Sequence, residues 1–113
     1  MSSLPKTKTE HNRNLRQLVC VVSETPFITL HHCHGGSMLE HAANPGTSQR
    51  QNDALQIPLS ALYHVGALGI DTGMGKFKGV AEWEAEFGTQ IEHLEQTSWQ
   101  LGYDVWELYE KLK

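Results

Sequence analysis

His31-His32-Cys33-His34-Gly35-Gly36 places three imidazoles and a thiol within four consecutive residues, directly after the apolar run Phe27-Ile28-Thr29-Leu30. Imidazole is the commonest protein ligand for transition metals and the side chain whose ordinary pKa lies nearest neutrality, so such a cluster can hold a cation, move a proton, or both. The competing reading is a polar surface turn that happens to be rich in histidine, because short His/Cys tracts alone do not define a metal site. Whichever reading holds, these side chains need an element to deliver them. Phe27–Leu30, β-branched and aromatic, reads as a short strand ending at the cluster, and Gly35-Gly36 lets the backbone depart from it.

The 113 residues suffice for one hydrophobic core and not two, so one site is expected. Nine Lys and Arg against thirteen Asp and Glu leave a formal charge of −4, which excludes a uniformly basic, non-specific DNA-binding surface. Positive charge gathers only at Lys6, Lys8, Arg13 and Arg16, with Lys76 and Lys78 as a second pair, so any nucleic-acid contact is local. Met1–Glu10 is polar, without the apolar segment of a secretory signal, and two cysteines fit a reducing compartment. A cytoplasmic protein is expected, with no membrane span. Cys20 and Cys33 match neither a CxxC pair nor a four-ligand zinc framework, and read as one buried and one site-adjacent thiol.

Residues 1–10 read as a flexible lead-in and 11–113 as a single domain. Leu15, Leu18, Val19 and Val22 follow helical spacing from Asn12, although Leu18–Val22 also suits a strand. Residues 37–53 read as a polar loop turning at Asn44-Pro45-Gly46, long enough to lie over a site. Leu55–Leu59 predicts a second strand, placed at an edge by Pro58. Ser60 is positioned to cap a short helix, Ala61–His64. Gly66, Gly69, Gly73 and Gly75 then make a glycine-rich turn with no nucleotide-binding fingerprint. Trp83, Phe87, Ile91 and Leu94 predict one amphipathic helix continuing through Trp99 and Leu101 to Gly102, its aromatic residues in the core. Asp104 and Glu107 form a capping box for a last helix, with Tyr103 packing on Leu108.

Strand, loop, strand and a helix bearing His64 is a ββα order in which histidines and a cation from two sides could hydrolyse a phosphodiester. In this arrangement the segments ITLHHCHGGSM, NDALQIPLS, YHVGALGIDTGMG and EWEAEFGTQ…GYDVWEL resemble the phage and prophage HNH-like nucleases of the recombination-enhancement (Ref) type, from about Phe27 to the C-terminus. The resemblance implies an α+β fold with a small ββα-metal core and additional C-terminal helices. It also implies DNA cleavage dependent on a divalent metal, Mg or Zn, in phage recombination or DNA processing, with DNA and a recombinase filament as partners. Residue by residue, His32 matches the general base and His31 a metal ligand. Asn52 or Asp53 matches the polar residue that orients the base or the scissile phosphate, His64 the helix-borne ligand, and Asp71 a further ligand.

Adjacent strand residues face opposite ways, so His31 and His32 share a site only if the strand end bends; in a regular strand His34 would replace His31 beside His32. The expected outcome is one cleft holding both His32 and His64. Two features depart from the family: Ser60 stands where a zinc-binding cysteine is common, and Tyr63 and Val65 flank His64 where a second helix histidine is common. These departures keep open a catalytically degenerate accessory protein that binds DNA or a protein partner, and a small zinc-storage or sensor domain using the His/Cys cluster. His11, His41 and His93 read as surface residues, with His41 in the loop that could cover the site.

Overall fold

The computed structural model describes residues 4–40, 53–71 and 75–112. Helix α1 runs Lys8–Leu15, opened by Thr7, whose hydroxyl accepts from the Glu10 N–H at 3.1 Å. It therefore begins inside the segment read as a lead-in and ends well short of Val22. The cause of the early end is where the next amides go: Cys20 N–H donates to Thr25 O and Val21 N–H to Pro58 O, neither a helical partner. His11 is fully buried, contrary to its surface reading. Its ring is bonded through Nε2 to Ala54 O (3.1 Å) and through Nδ1 to the Tyr103 hydroxyl (2.8 Å), so it ties α1 to two distant segments.

Strands β1 (Thr29–His32) and β2 (Gln56–Leu59) pair antiparallel, with Thr29 opposite Leu59, Leu30 opposite Pro58, His31 opposite Ile57 and His32 opposite Gln56. Pro58 is tolerated because its side of the backbone turns away from β1, where its carbonyl accepts from Val21 at 3.0 Å. Past the ladder, Cys33 N–H still reaches Leu55 O at 2.9 Å. The chain then turns through Gly35 and Gly36, both with positive φ, into a 3-10 turn over Gly36–Glu40 that buries Met38 completely. A side chain at Gly36 would meet the carboxylate of Glu84, so glycine is required there on two counts. The start of the expected polar loop is thus structured; Asn44-Pro45-Gly46, His41 and Asn52 lie outside the described residues.

Helix α2 (Ala61–His64) follows β2 directly. Ser60 supplies its carbonyl to Tyr63 and His64 N–H groups but no side-chain cap, contrary to expectation. The single amphipathic helix expected from the Trp83, Phe87, Ile91 and Leu94 stripe is two: α3 (Val80–Phe87) and α4 (Gln90–Leu101). Gly88 at φ 100° breaks the run, and Thr89 with Glu92 forms a complete capping box that restarts it. Gly102 closes α4 in the left-handed conformation. Helix α5 (Val105–Leu112) begins with the Asp104 carboxylate accepting from Trp106 N–H at 2.9 Å. The Tyr103 hydroxyl holds His11 and Asn14, a long-range role in place of the local one expected of it.

Among the described residues the architecture is α+β, five helices packed around one two-stranded antiparallel sheet. Ile57, Leu59, Trp83, Leu94 and Val105 form its core together with Cys20 and Cys33, which are free thiols. Trp83 is buried as expected and donates its indole N–H to Leu68 O, whereas Trp99 is 82% exposed on α4 and outside the core. No described helix is long and apolar enough to cross a membrane.

Candidate metal centre

Alternation along β1 sends Thr29 and His31 to one face of the ribbon and Leu30 and His32 to the other. His31 is fully buried, and its Nδ1 lies 2.8 Å from Asp71 Oδ2. His64, at the end of α2, brings Nε2 to 2.9 Å from the same oxygen, and its ring meets that of His31 edge-on at 5.2 Å. His34 reaches Asp71 Oδ1 through Nε2 at 2.9 Å. It gets there because the backbone leaves the strand after His32, so His34 joins His31 rather than pairing with His32 or replacing His31. One carboxylate thus faces three imidazoles.

His32 goes elsewhere. Its Nε2 lies 2.8 Å from Asp53 Oδ1, and the other Asp53 oxygen faces Lys8 Nζ at 3.9 Å. The expectation that His32 and His64 face one cleft is not met, since each is engaged by a different aspartate and the strand remains regular through His32. Cys33, between them in sequence, packs into the core. Burial, then the negative charges of Glu84 and Asp71, push its thiol well above its ordinary pKa, so it stays protonated and unsuited to ligation.

Burial alone would raise the Asp71 carboxyl, but the bonds from His31, His34 and His64 outweigh it and hold the group far below the usual carboxylate range. His34 is held above the ordinary imidazole value chiefly by its bond to that carboxylate, against the opposing effect of burial. Ligand atoms of His31, His64 and Asp71 lie within 4.8 Å of one another, a separation that a single cation can bridge. Two imidazole nitrogens and a carboxylate oxygen, drawn from a strand, a helix end and the following turn, fit a metal centre.

Behind these residues stands a buried polar layer. Gln90, the first residue of α4, is fully buried, with Oε1 2.9 Å from His31 Nε2 and 3.0 Å from His34 N–H. Its Nε2 donates to His34 O at 2.8 Å, and its own N–H donates to Glu84 at 2.7 Å. Glu84 also accepts from Ser37 N–H and hydroxyl, tying the glycine turn to the α3–α4 junction. On the other side Thr29 Oγ1 sits 2.7 Å from His64 Nδ1 and 2.9 Å from Leu59 O. Sequence reasoning missed Gln90, Glu84 and Thr29. The one signal available was the Thr89-Gln90-Ile91-Glu92 capping box, which marks a helix start next to Gln90. His93 is likewise buried, bonded through Nε2 to Phe87 O at 2.8 Å, and is not a surface residue.

Two open grooves lie on the α1 side. One, of about 540 Å³, is lined by Thr9, Asn12, Arg13, Arg16 and Gln17. The other, of about 420 Å³, runs from Arg16 past Pro26, Phe27 and Ile28 to Thr29, the residue bonded to His64. Comparison with protein-family models, curated proteins and solved structures finds no match to this chain.

Proposed function

We propose that this protein is a metal-dependent endonuclease that hydrolyses phosphodiester bonds in DNA, built on a small ββα-metal unit formed by β1, β2 and α2. The observation that carries the reading is the convergence of His31 from β1 and His64 from α2 on the carboxylate of Asp71. Two nitrogens with one oxygen suit a zinc-class transition ion better than magnesium, which prefers oxygen ligands. A divalent cation held by these three residues would supply the positive charge that offsets charge developing on the phosphate and the leaving oxygen. His34, on the second Asp71 oxygen, stands ready as a further ligand or proton carrier.

His32 is the proposed base, and because β1 sends it to the face opposite His31, this role requires the scissile phosphate to sit at the end of the ribbon, within reach of both faces. The His32 Nε2 faces Asp53, which accepts the ring proton there and leaves Nδ1 to take a proton from water. Substrate charge is met locally: Arg13 and Arg16 face grooves, one of which ends at Thr29 beside the metal centre, despite the net charge of −4. The recombination role, a recombinase filament as partner and a bacterial cytoplasmic setting belong to the same proposal and rest on the sequence resemblance.

One observation favours a second reading. His32 is engaged away from the Asp71 cluster, which suits an accessory protein that keeps the metal centre for binding DNA or a partner without cutting. The test is incubation of purified protein with single-stranded and duplex DNA in zinc, manganese or magnesium, alone and with a recombinase filament. Metal-dependent nicking that Asp71→Ala abolishes is the result expected. Metal binding without cleavage under every condition overturns the enzyme in favour of the accessory protein.

A further inference from the structure

Each histidine of the triad carries a second bond on the ring nitrogen that faces away from Asp71, and in both cases the partner's other bond points to one role: the amide of Gln90 is held at both ends, and the Thr29 hydroxyl faces a carbonyl that can only accept. Gln90 Oε1 accepts from the backbone N–H of His34, while its Nε2 donates to the backbone carbonyl of the same residue. Flipping the amide would set donor against donor and acceptor against acceptor, so the oxygen must face His31 Nε2. An amide oxygen only accepts, which requires a proton on His31 Nε2. The Thr29 hydroxyl gives its one proton to Leu59 O, so toward His64 it can only accept, which requires a proton on His64 Nδ1.

From this geometry we infer that Gln90 and Thr29 are positioning residues that fix the ring tautomers of the metal centre, presenting Nδ1 of His31 and Nε2 of His64 as the ligating nitrogens. The inference rests on the metal centre proposed above but not on catalysis. It explains why a glutamine is fully buried at the first position of α4, where a buried amide is unfavourable unless all its groups are satisfied. Contact with the Asp71 carboxylate at 2.8 Å and 2.9 Å needs a proton on His31 Nδ1 and His64 Nε2, which a bound zinc would displace, freeing those nitrogens as ligands while the protons toward Gln90 and Thr29 stay in place. Gln90 is enclosed whereas Thr29 is exposed, so water can replace the threonine more easily than the glutamine.

The experiment is a long-range ¹H–¹⁵N correlation spectrum of the histidine rings in full-length protein, with and without zinc, together with zinc titration calorimetry. In the zinc-loaded protein the ring proton is expected on His31 Nε2 and on His64 Nδ1. The opposite assignment, or absence of zinc binding, overturns the inference. Gln90→Leu is expected to weaken zinc binding about 10–100-fold, as loss of an outer hydrogen-bond partner does, with Thr29→Val at or below the lower end of that range. Thr29→Ser, which keeps the accepting hydroxyl, should bind as the parent does. A purely structural role predicts lowered melting temperatures with zinc affinity unchanged, and that result overturns the inference. If Gln90→Leu does not fold, the parent spectrum and the Thr29 pair decide. Correct tautomers in a protein that never cuts DNA retain the inference and discard the nuclease; reversed tautomers in an active nuclease do the opposite.

Discussion

The two faces of the β1–β2 ribbon each set histidine against aspartate, and the two pairings differ in kind. On one face Asp71 faces His31, His34 and His64, with His31 enclosed and a buried glutamine behind it. On the other, Asp53 meets His32 alone, with Lys8 nearby at 3.9 Å. A carboxylate within hydrogen-bond distance of several imidazoles is a place where a cation could displace ring protons and take the nitrogens as ligands. A carboxylate bonded to one half-exposed imidazole orients that ring and leaves its other nitrogen for proton transfer. On the proposed reading, the strand's period of two separates two chemistries carried by adjacent residues, cation binding on one face and proton movement on the other.

The sharpest test of this division is cleavage itself. His32→Ala should reduce DNA cleavage by about 10²–10⁴-fold, the usual contribution of a general base, while zinc affinity measured by calorimetry stays unchanged. His64→Ala should lose activity through lost affinity, and excess zinc should partly restore it. Equal response of both variants to added metal would merge the two faces into one function.

Metal affinity gives the next largest contrast. Asp71→Ala should weaken zinc binding by more than about 100-fold, beyond the loss expected for an outer hydrogen-bond partner, whereas Asp53→Ala should leave it within a few-fold. A comparable loss in Asp53→Ala would show that the Asp53 side belongs to the metal centre.

How far these assignments could be read from the sequence depends on the range of the interaction concerned. Strand β2 and helix α2 were legible because each is specified within a few residues around Pro58, whereas the first strand, expected over Phe27–Leu30, runs Thr29–His32, so that His31 and His32 lie in it and Phe27 is exposed outside it. His31 and His64 were legible as imidazoles, one after each expected strand, and Asp71 was placed by the resemblance, since one carboxylate among thirteen Asp and Glu is not singled out by its chemistry. The company of His34 was not legible, because it depends on where the chain turns after His32, and that turn is set by Gly36 packing against Glu84, far away in sequence. The break between α3 and α4 was masked by Trp83, Phe87, Ile91 and Leu94, whose spacing continues across Gly88 although the backbone does not. His11 and Gln90 are polar types whose burial is decided by partners far along the chain, Ala54 O and the Tyr103 hydroxyl for one and His31 and the His34 backbone for the other, and no local pattern encodes those.

Acidity offers a subtler comparison. Asp71 is depressed in the folded state, so its contribution to stability is present above its unfolded value near 3.8 and is lost as pH falls. His34 is raised, so its contribution is full below its unfolded value near 6.5 and fades as pH rises through the folded value. In chelator, the gap in melting temperature between the parent and Asp71→Asn should therefore be widest between about pH 4 and 6.5 and narrow above it. His11 and His93 are lowered by burial and work in the opposite sense, but they are common to both proteins and cancel in the difference. A gap independent of pH would mean that the Asp71 cluster is held by shape rather than charge.

The smallest effect separates the site from its scaffold. Thr89 and Asp104 each cap a helix, through Thr89 Oγ1 accepting from Glu92 N–H at 3.1 Å and Asp104 Oδ1 accepting from Trp106 N–H at 2.9 Å. Replacing either with alanine removes one satisfied amide at a helix start and should lower stability by about 0.5–2 kcal/mol, measured by chemical denaturation. The consequences for the metal should differ, because α4 begins with Gln90, whose side chain holds His31, whereas α5 supplies no residue to the cluster. A frayed α4 start lets Gln90 move away from His31 Nε2, so Thr89→Ala should weaken zinc binding several-fold, and Asp104→Ala should leave it unchanged. Equal zinc affinity in the two variants would show that Gln90 is held by Glu84 and the His34 backbone alone, and that the capping box serves the helix and not the metal centre.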